Sequence, residues 1–141
     1  MKLWKLAAFE LRYTALELLD YEPGGQLYGS MEGRFSGERL SGTLRLTNVA
    51  ARRPDNVNLP ALRGLLETAD GAAVWVEIDG IATVRPSDNA RVFVTRCAFR
   101  TGDARYRWLN TVFAVLEGVL DQVAVGGRAT GELHVCEASV F

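Results

Sequence analysis

Histidine is almost missing from this chain: His134 is the single one in 141 residues. That excludes a multi-histidine metal site and the His-Glu-x-x-His zinc pattern, and any Ser-His-Asp triad would hang on one residue. No serine stands in a nucleophile-elbow pattern, so ordinary hydrolase chemistry is not expected. Two cysteines, Cys97 and Cys136, are too few for a disulfide framework and lack metal-ligand spacing. They read as buried small apolar residues in a reduced, cytoplasmic setting. The glycines of Gly126-Gly127-Arg128-Ala129-Thr130-Gly131 do not end in Gly-Lys-Ser/Thr, and no dinucleotide fingerprint is present. No metal and no cofactor are therefore expected. Apolar runs of ~20 residues are absent, and the Met1–Glu10 opening is interrupted by Glu10 and Arg12 with no cleavage site, so neither membrane span nor signal peptide is expected. Excess charge is absent too. Sixteen Lys and Arg against 17 Asp and Glu leave a formal −1, with no basic field for nucleic acid or an anionic membrane.

What the chain does have is alternation. Its length and 48% hydrophobic content suit one globular domain, residues 1–141. Leu6–Tyr13 reads as a strand with Phe9, Leu11 and Tyr13 on one face; Leu16–Leu19 is open between strand and helical turn. Leu27, Gly29, Met31, Gly33 and Phe35 alternate with polar neighbours, and Leu40, Gly42, Leu44 and Leu46 repeat the pattern, predicting an antiparallel hairpin. Two glycines on the apolar face point to a close backbone approach or a bend that lets a sheet close. Residues 50–58 read as a long polar loop. Asp70-Gly71 predicts a tight turn between strands at Leu62–Thr68 and Ala72–Ile78, with Asp79-Gly80 as the next break. Arg91–Phe99 is a strand, Thr111–Leu120 an apolar strand covered on both faces with helix as the alternative, and Glu132–Ala138 the last strand. Eight or nine strands at short spacing predict an all-β protein, a single antiparallel barrel that leaves no apolar edge exposed.

One stretch interrupts the strands. In Thr101-Gly102-Asp103-Ala104-Arg105-Tyr106-Arg107-Trp108-Leu109-Asn110, Gly102-Asp103 ends a strand and Asp103 is placed as an N-cap. Tyr106, Leu109 and Asn110 at i, i+3 and i+4 predict a short helical turn within 103–110 that seats Tyr106 and Leu109 on the barrel end.

With Gly33-x-Phe35-x-Gly37-x-x-Leu40-x-Gly42, Thr68-x-Asp70-Gly71-Ala72 and Phe99-x-Thr101-Gly102-x-x-x-Tyr106-x-Trp108-Leu109-Asn110 in this order, the chain from about Pro23 onward resembles a bacterial family, domain of unknown function 3237. The resemblance implies a small β-barrel similar in architecture to allene oxide cyclase and dirigent proteins. Those proteins shape reactive small molecules inside an oligomer of barrels without metal or organic cofactor. The chain departs from the family pattern before Asp70-Gly71, with Ala61 and Gly64 where an acidic and an aromatic residue are expected, while Arg63 is retained.

Candidate residues follow from chemistry type. Glu77 and Glu117 are the acid/base candidates, Glu117 because a charge in an apolar strand needs a partner or solvent. Burial would raise a cavity carboxylate towards neutrality. Arg63 is the charge-stabilising candidate; Trp75, Tyr106, Asn110 and Arg96 are the ligand-binding ones. Each also has a plain structural reading: Trp75, Glu77 and Asp79 as a solvated outer face, Arg63 with Glu67 as a surface ion pair, Tyr106 and Asn110 as packing and turn-satisfying groups. The leading expectation is a cofactor-independent isomerase, cyclase or lyase acting on a hydrophobic, oxygenated small molecule as a homo-oligomer. A carrier barrel and an oligomeric structural module are the alternatives.

Overall fold

Strands that alternate apolar and polar residues hide their apolar faces together by curling round a common axis. The computed structural model describes residues 1–140 and has this arrangement. In chain order the strands are β1 (Lys2–Tyr21), β2 (Gly24–Ser36), β3 (Gly42–Asn48), β4 (Ala51–Arg52), β5 (Asn58–Leu59), β6 (Ala61–Thr68), β7 (Ala73–Val84), β8 (Arg91–Arg100), β9 (Phe113–Leu120) and β10 (Arg128–Glu137). All pairings are antiparallel. The ring runs β1-β10-β9-β8-β7-β6-β3-β2 and closes through a β1–β2 ladder. The two-residue strands β4 and β5 pair with each other and bridge β2 to β7 at one end of the barrel. The expected polar loop is thus a small flap.

The expected glycine effect is present in β2. A Cβ on Gly33 would lie 1.9 Å from the Glu10 carbonyl oxygen, and one on Gly29 would lie 3.0 Å from the Tyr13 ring. Glycine lets the sheet coil tightly and makes room for that ring. One expected break is absent, and one open stretch is strand. Asp79-Gly80 does not break β7, because Gly80 lies where β8 comes closest: a Cβ there would be 2.2 Å from the Val94 carbonyl oxygen. Leu16–Leu19 continues β1 as strand, after a bulge between Tyr13 and Ala15. No helix among the described residues is long and apolar enough to cross a membrane.

The barrel has a base and a mouth. At the base a 3-10 turn, Arg107–Thr111, sets Leu109 fully into the core with Phe35, Leu40 and Phe99. Phe35 and Phe99 meet edge to face at 6.3 Å. Outside this plug the Arg39 guanidinium stacks 4.2 Å from the Trp108 ring centre and 5.4 Å from that of Trp4. The mouth is the end where β3 finishes, β8 begins and the flap lies.

Candidate functional site

Inward-facing residues near the mouth leave a cavity of about 60 Å³. Its walls are apolar, with Phe9, Leu27, Met31, Ile78, Phe93 and Leu116 among them, and its polar groups are Tyr13, Asn48, Asn58, Arg91 and Thr95. Leu27, Asn58, Arg91 and Val123 also line an outer vestibule of about 150 Å³, together with Leu18, Gln26, Asp20 and Arg52. Cavity and vestibule thus lie against each other, with the four shared residues between them.

Tyr13 is the key polar group. It continues the inward face of Phe9 and Leu11, so the ring is buried and the hydroxyl lies among apolar walls. Asn48 ends the inward series Leu44, Leu46, Asn48 on β3; its Nδ2 donates to the Tyr13 oxygen at 2.8 Å. Its Oδ1 accepts the Ala61 N–H at 3.2 Å, which fixes which way the amide faces. The phenol oxygen therefore receives a hydrogen bond while its own proton has no acceptor among the described residues. Burial raises the Tyr13 pKa above the ordinary 10.0, with the Asn48 bond opposing that shift. Tyr13 is consequently a neutral donor at physiological pH and not a base. Asn58, 8% exposed, makes no side-chain hydrogen bond to any described residue although it lines both spaces.

The residues favoured from sequence lie elsewhere. Val74, Val76 and Ile78 face inward, so Trp75, Glu77 and Asp79 face out. The bland alternative of an outer polar face describes this strand, and the expectation of a cavity wall at Trp75 with an acid at Glu77 is corrected. Outside the barrel Glu77 accepts from Trp75 Nε1 at 2.9 Å and pairs with Arg63 at 3.4 Å and with Arg100. Arg63 also reaches Asp79 at 3.0 Å, and Arg96 meets the other Asp79 oxygen at 3.1 Å. The structure thus brings Arg63, Trp75, Glu77 and Arg96 together on the outer face, in a network of three arginines and two carboxylates. The Trp75 hydrogen bond and the flanking guanidiniums lower the Glu77 pKa, the reverse of the expected rise. Glu117 is exposed on the outside of β9, opposite Val94 and Glu132.

Tyr106 and Asn110 are at the base, the far end from the cavity. Asn110 bonds the Thr101 N–H and carbonyl at 2.8 and 2.9 Å, holding the loop shut. Tyr106 donates to Asp70 at 2.8 Å. Tyr106 itself is the N-cap of the 3-10 turn; Asp103 caps the preceding bend instead, accepting the Arg105 N–H at 2.9 Å. This corner predicts an acid response. Asp103 is held at about 2 by its bonds from the Arg105 side chain and backbone, and Asp70 is lowered by Thr68 and Tyr106. A depressed carboxylate stabilises the fold above its unfolded pKa, here near 3.8, and loses that contribution as pH falls through the folded value. Melting temperature should therefore drop between pH 4 and about 2, and Asp103→Asn should flatten part of that slope.

Solved structures share the architecture. A protein from Rhodopseudomonas palustris of unknown function matches with a TM-score of 0.80 and 21% identity over 95% of this chain and 96% of that one. A β-barrel-like protein from Acinetobacter baumannii gives 0.80 and 21% over 95% and 94%. An enzyme from Penicillium herquei gives 0.63 and 20% over 94% and 93%. At these identities the likeness shows the fold alone. No curated protein matches the chain. The family model described as protein of unknown function (DUF3237) matches residues 22–129, from the turn before β2 into β10, and the chain belongs to that family.

Proposed function

We propose that this chain is a cofactor-independent small-molecule barrel: its mouth-end cavity takes a slim, apolar, oxygenated molecule, and the Tyr13 hydroxyl holds that molecule's oxygen. The observation that carries this reading is the Tyr13–Asn48 pair, an oriented phenol whose proton has no acceptor among the described residues in a space with mostly apolar walls. A ladder residue with only a packing role needs no such donor.

The chemistry available is electrophilic. A neutral phenol donating to a carbonyl, epoxide or ether oxygen stabilises negative charge that develops there, and a low-dielectric wall strengthens the effect. The cavity is lined by no carboxylate and no imidazole among the described residues, so proton abstraction is not part of the step proposed for this chain. An isomerisation or cyclisation governed by conformer selection and oxygen polarisation fits best. A carrier is the second reading, favoured by the same absence of a cavity base. That the Penicillium herquei neighbour is an enzyme supports the first by analogy only.

Native mass spectrometry of freshly purified protein, before and after denaturation, tests the reading. A retained apolar oxygenated compound is expected, bound about tenfold more weakly by Tyr13→Phe, as for one neutral hydrogen bond. For an enzyme, turnover of that compound should fall about 10²–10³-fold in the same variant, as on losing an oxyanion donor. A carrier would show the binding loss and no turnover. An empty barrel whose melting point no compound of this class shifts would sink both and leave a structural module.

A further inference from the structure

The mouth carries a charge pattern that the cavity reading does not use. Arginines crowd this end, and most are matched: Arg52 with Asp20 at 2.5 Å, Arg53 with Asp55, and Arg85 with Asp88 at 2.6 Å. Arg91 is different. Among the described residues no carboxylate pairs with it; its guanidinium donates only to the Asn56 carbonyl oxygen at 2.6 Å and the Asn56 Oδ1 at 3.0 Å. Asn56 holds this clamp with φ +65°, a left-handed conformation that asparagine tolerates better than most residues. Two oxygens of one residue thus fix the orientation of a half-buried guanidinium and leave its remaining N–H groups uncommitted.

Position gives this cation a meaning. Arg91 lines the cavity and the vestibule, as does Asn58, whose side-chain amide bonds no described residue and is open to that space. Arg52 sits on the same vestibule wall, so the two guanidiniums repel across it. Burial and Arg52 both push the Arg91 pKa down. The carboxylate on that wall, Asp20, is already bonded to Arg52. A half-buried cation beside a second cation and an amide free to donate is stabilised by an anion placed between them.

Resting on the small-molecule reading above, we propose that the barrel's ligand is an amphipathic carboxylate: its anionic head sits in the vestibule on Arg91 and Asn58, and its apolar body enters the cavity towards Tyr13. The sizes agree. The inner space of about 60 Å³ is the narrow apolar end, while the polar end has the roomier vestibule of about 150 Å³. Arg91 provides a fork that fits a carboxylate's two oxygens, which a lysine would not.

Titration calorimetry with octanoate and octan-1-ol on the full chain separates head from tail. Wild type should bind octanoate at least about tenfold more tightly than the alcohol, the increment of a charge-assisted bond. That preference should weaken with added salt. Arg91→Gln should abolish the preference, bringing octanoate down to the affinity of the alcohol in the same variant. Arg91→Lys keeps the charge and the flap's cation, and should retain only part of the preference, which covers the case in which the Gln variant loosens the 50–58 segment. Equal binding of acid and alcohol, insensitive to either variant, would overturn the anion site and leave the apolar barrel reading standing. Binding of neither compound would likewise overturn the anion site. Tighter binding of octanoate that survives Arg91→Gln undiminished would also overturn the assignment to Arg91.

Discussion

Leu109→Ala should cost this barrel about 3–5 kcal/mol, a large part of the roughly 5–15 kcal/mol that holds a domain of this kind together. Leu109 is fully buried, and it is the core residue supplied by the 3-10 turn that stoppers the base. The turn cannot follow a shrunken side chain inward. Asn110 ties it to both backbone groups of Thr101, Tyr106 is bonded to Asp70, and Trp108 is stacked on Arg39. A cavity would remain, so the loss belongs at the upper end of what leucine truncation costs. Urea unfolding followed by tryptophan fluorescence checks it: the midpoint should fall sharply with the slope unchanged. Arg107→Ala, an exposed neighbour in the same turn, should stay within about 0.5 kcal/mol. A Leu109→Ala loss below about 1 kcal/mol, well short of the usual range for a buried leucine, would mean that the turn merely rests on the barrel. Because the cavity lies at the other end, ligand binding should persist in this variant wherever it remains folded.

The contrast between the two ends shows what the sequence makes legible. At the base, identity and spacing agree: a strand stop, a helical spacing and a leucine at the inward position together describe a plug, and a plug is found. Period-two alternation likewise places Phe9, Leu27, Met31, Leu44 and Phe99 inside, because any one-residue slip would turn the whole set to solvent. The site is harder to see for a related reason. Carboxylates attract attention as acids and bases, yet Glu77 has the opposite parity to Val74, Val76 and Ile78, and parity decides which side of a barrel wall a residue meets. The same rule carried further along β3, from Leu44 and Leu46, puts Asn48 inside, and along β1 it puts the Tyr13 hydroxyl there. Those signals are present in the sequence. Asn58 and Arg91 give none, because Asn58 arrives through a flap whose path depends on β2 and β7, and Arg91's significance rests on which arginines already have partners.

Asn48 is where fold and proposed chemistry can be pulled apart. Asn48→Leu, close in size, should destabilise by about 2–4 kcal/mol, since it strands the Ala61 N–H and removes the donor to the Tyr13 oxygen. Asn48→Asp is more telling. One carboxylate oxygen can keep the Ala61 N–H, so the flap-side strand stays anchored, but the other is an acceptor where the amide was a donor. Tyr13 would then turn its proton onto the introduced carboxylate, and the group meant for the ligand's oxygen would be spent inside the wall. Affinity for a carbonyl-bearing ligand should fall about tenfold, to the level of Tyr13→Phe, although the phenol is still present. Combining the two substitutions should cost no more than either alone, because both remove the same proton. Calorimetry on the three variants with one ligand reads this directly. An Asn48→Asp variant that binds like wild type would show that the ligand's oxygen never meets Tyr13, whereas additive losses would mean that Asn48 touches the ligand on its own account.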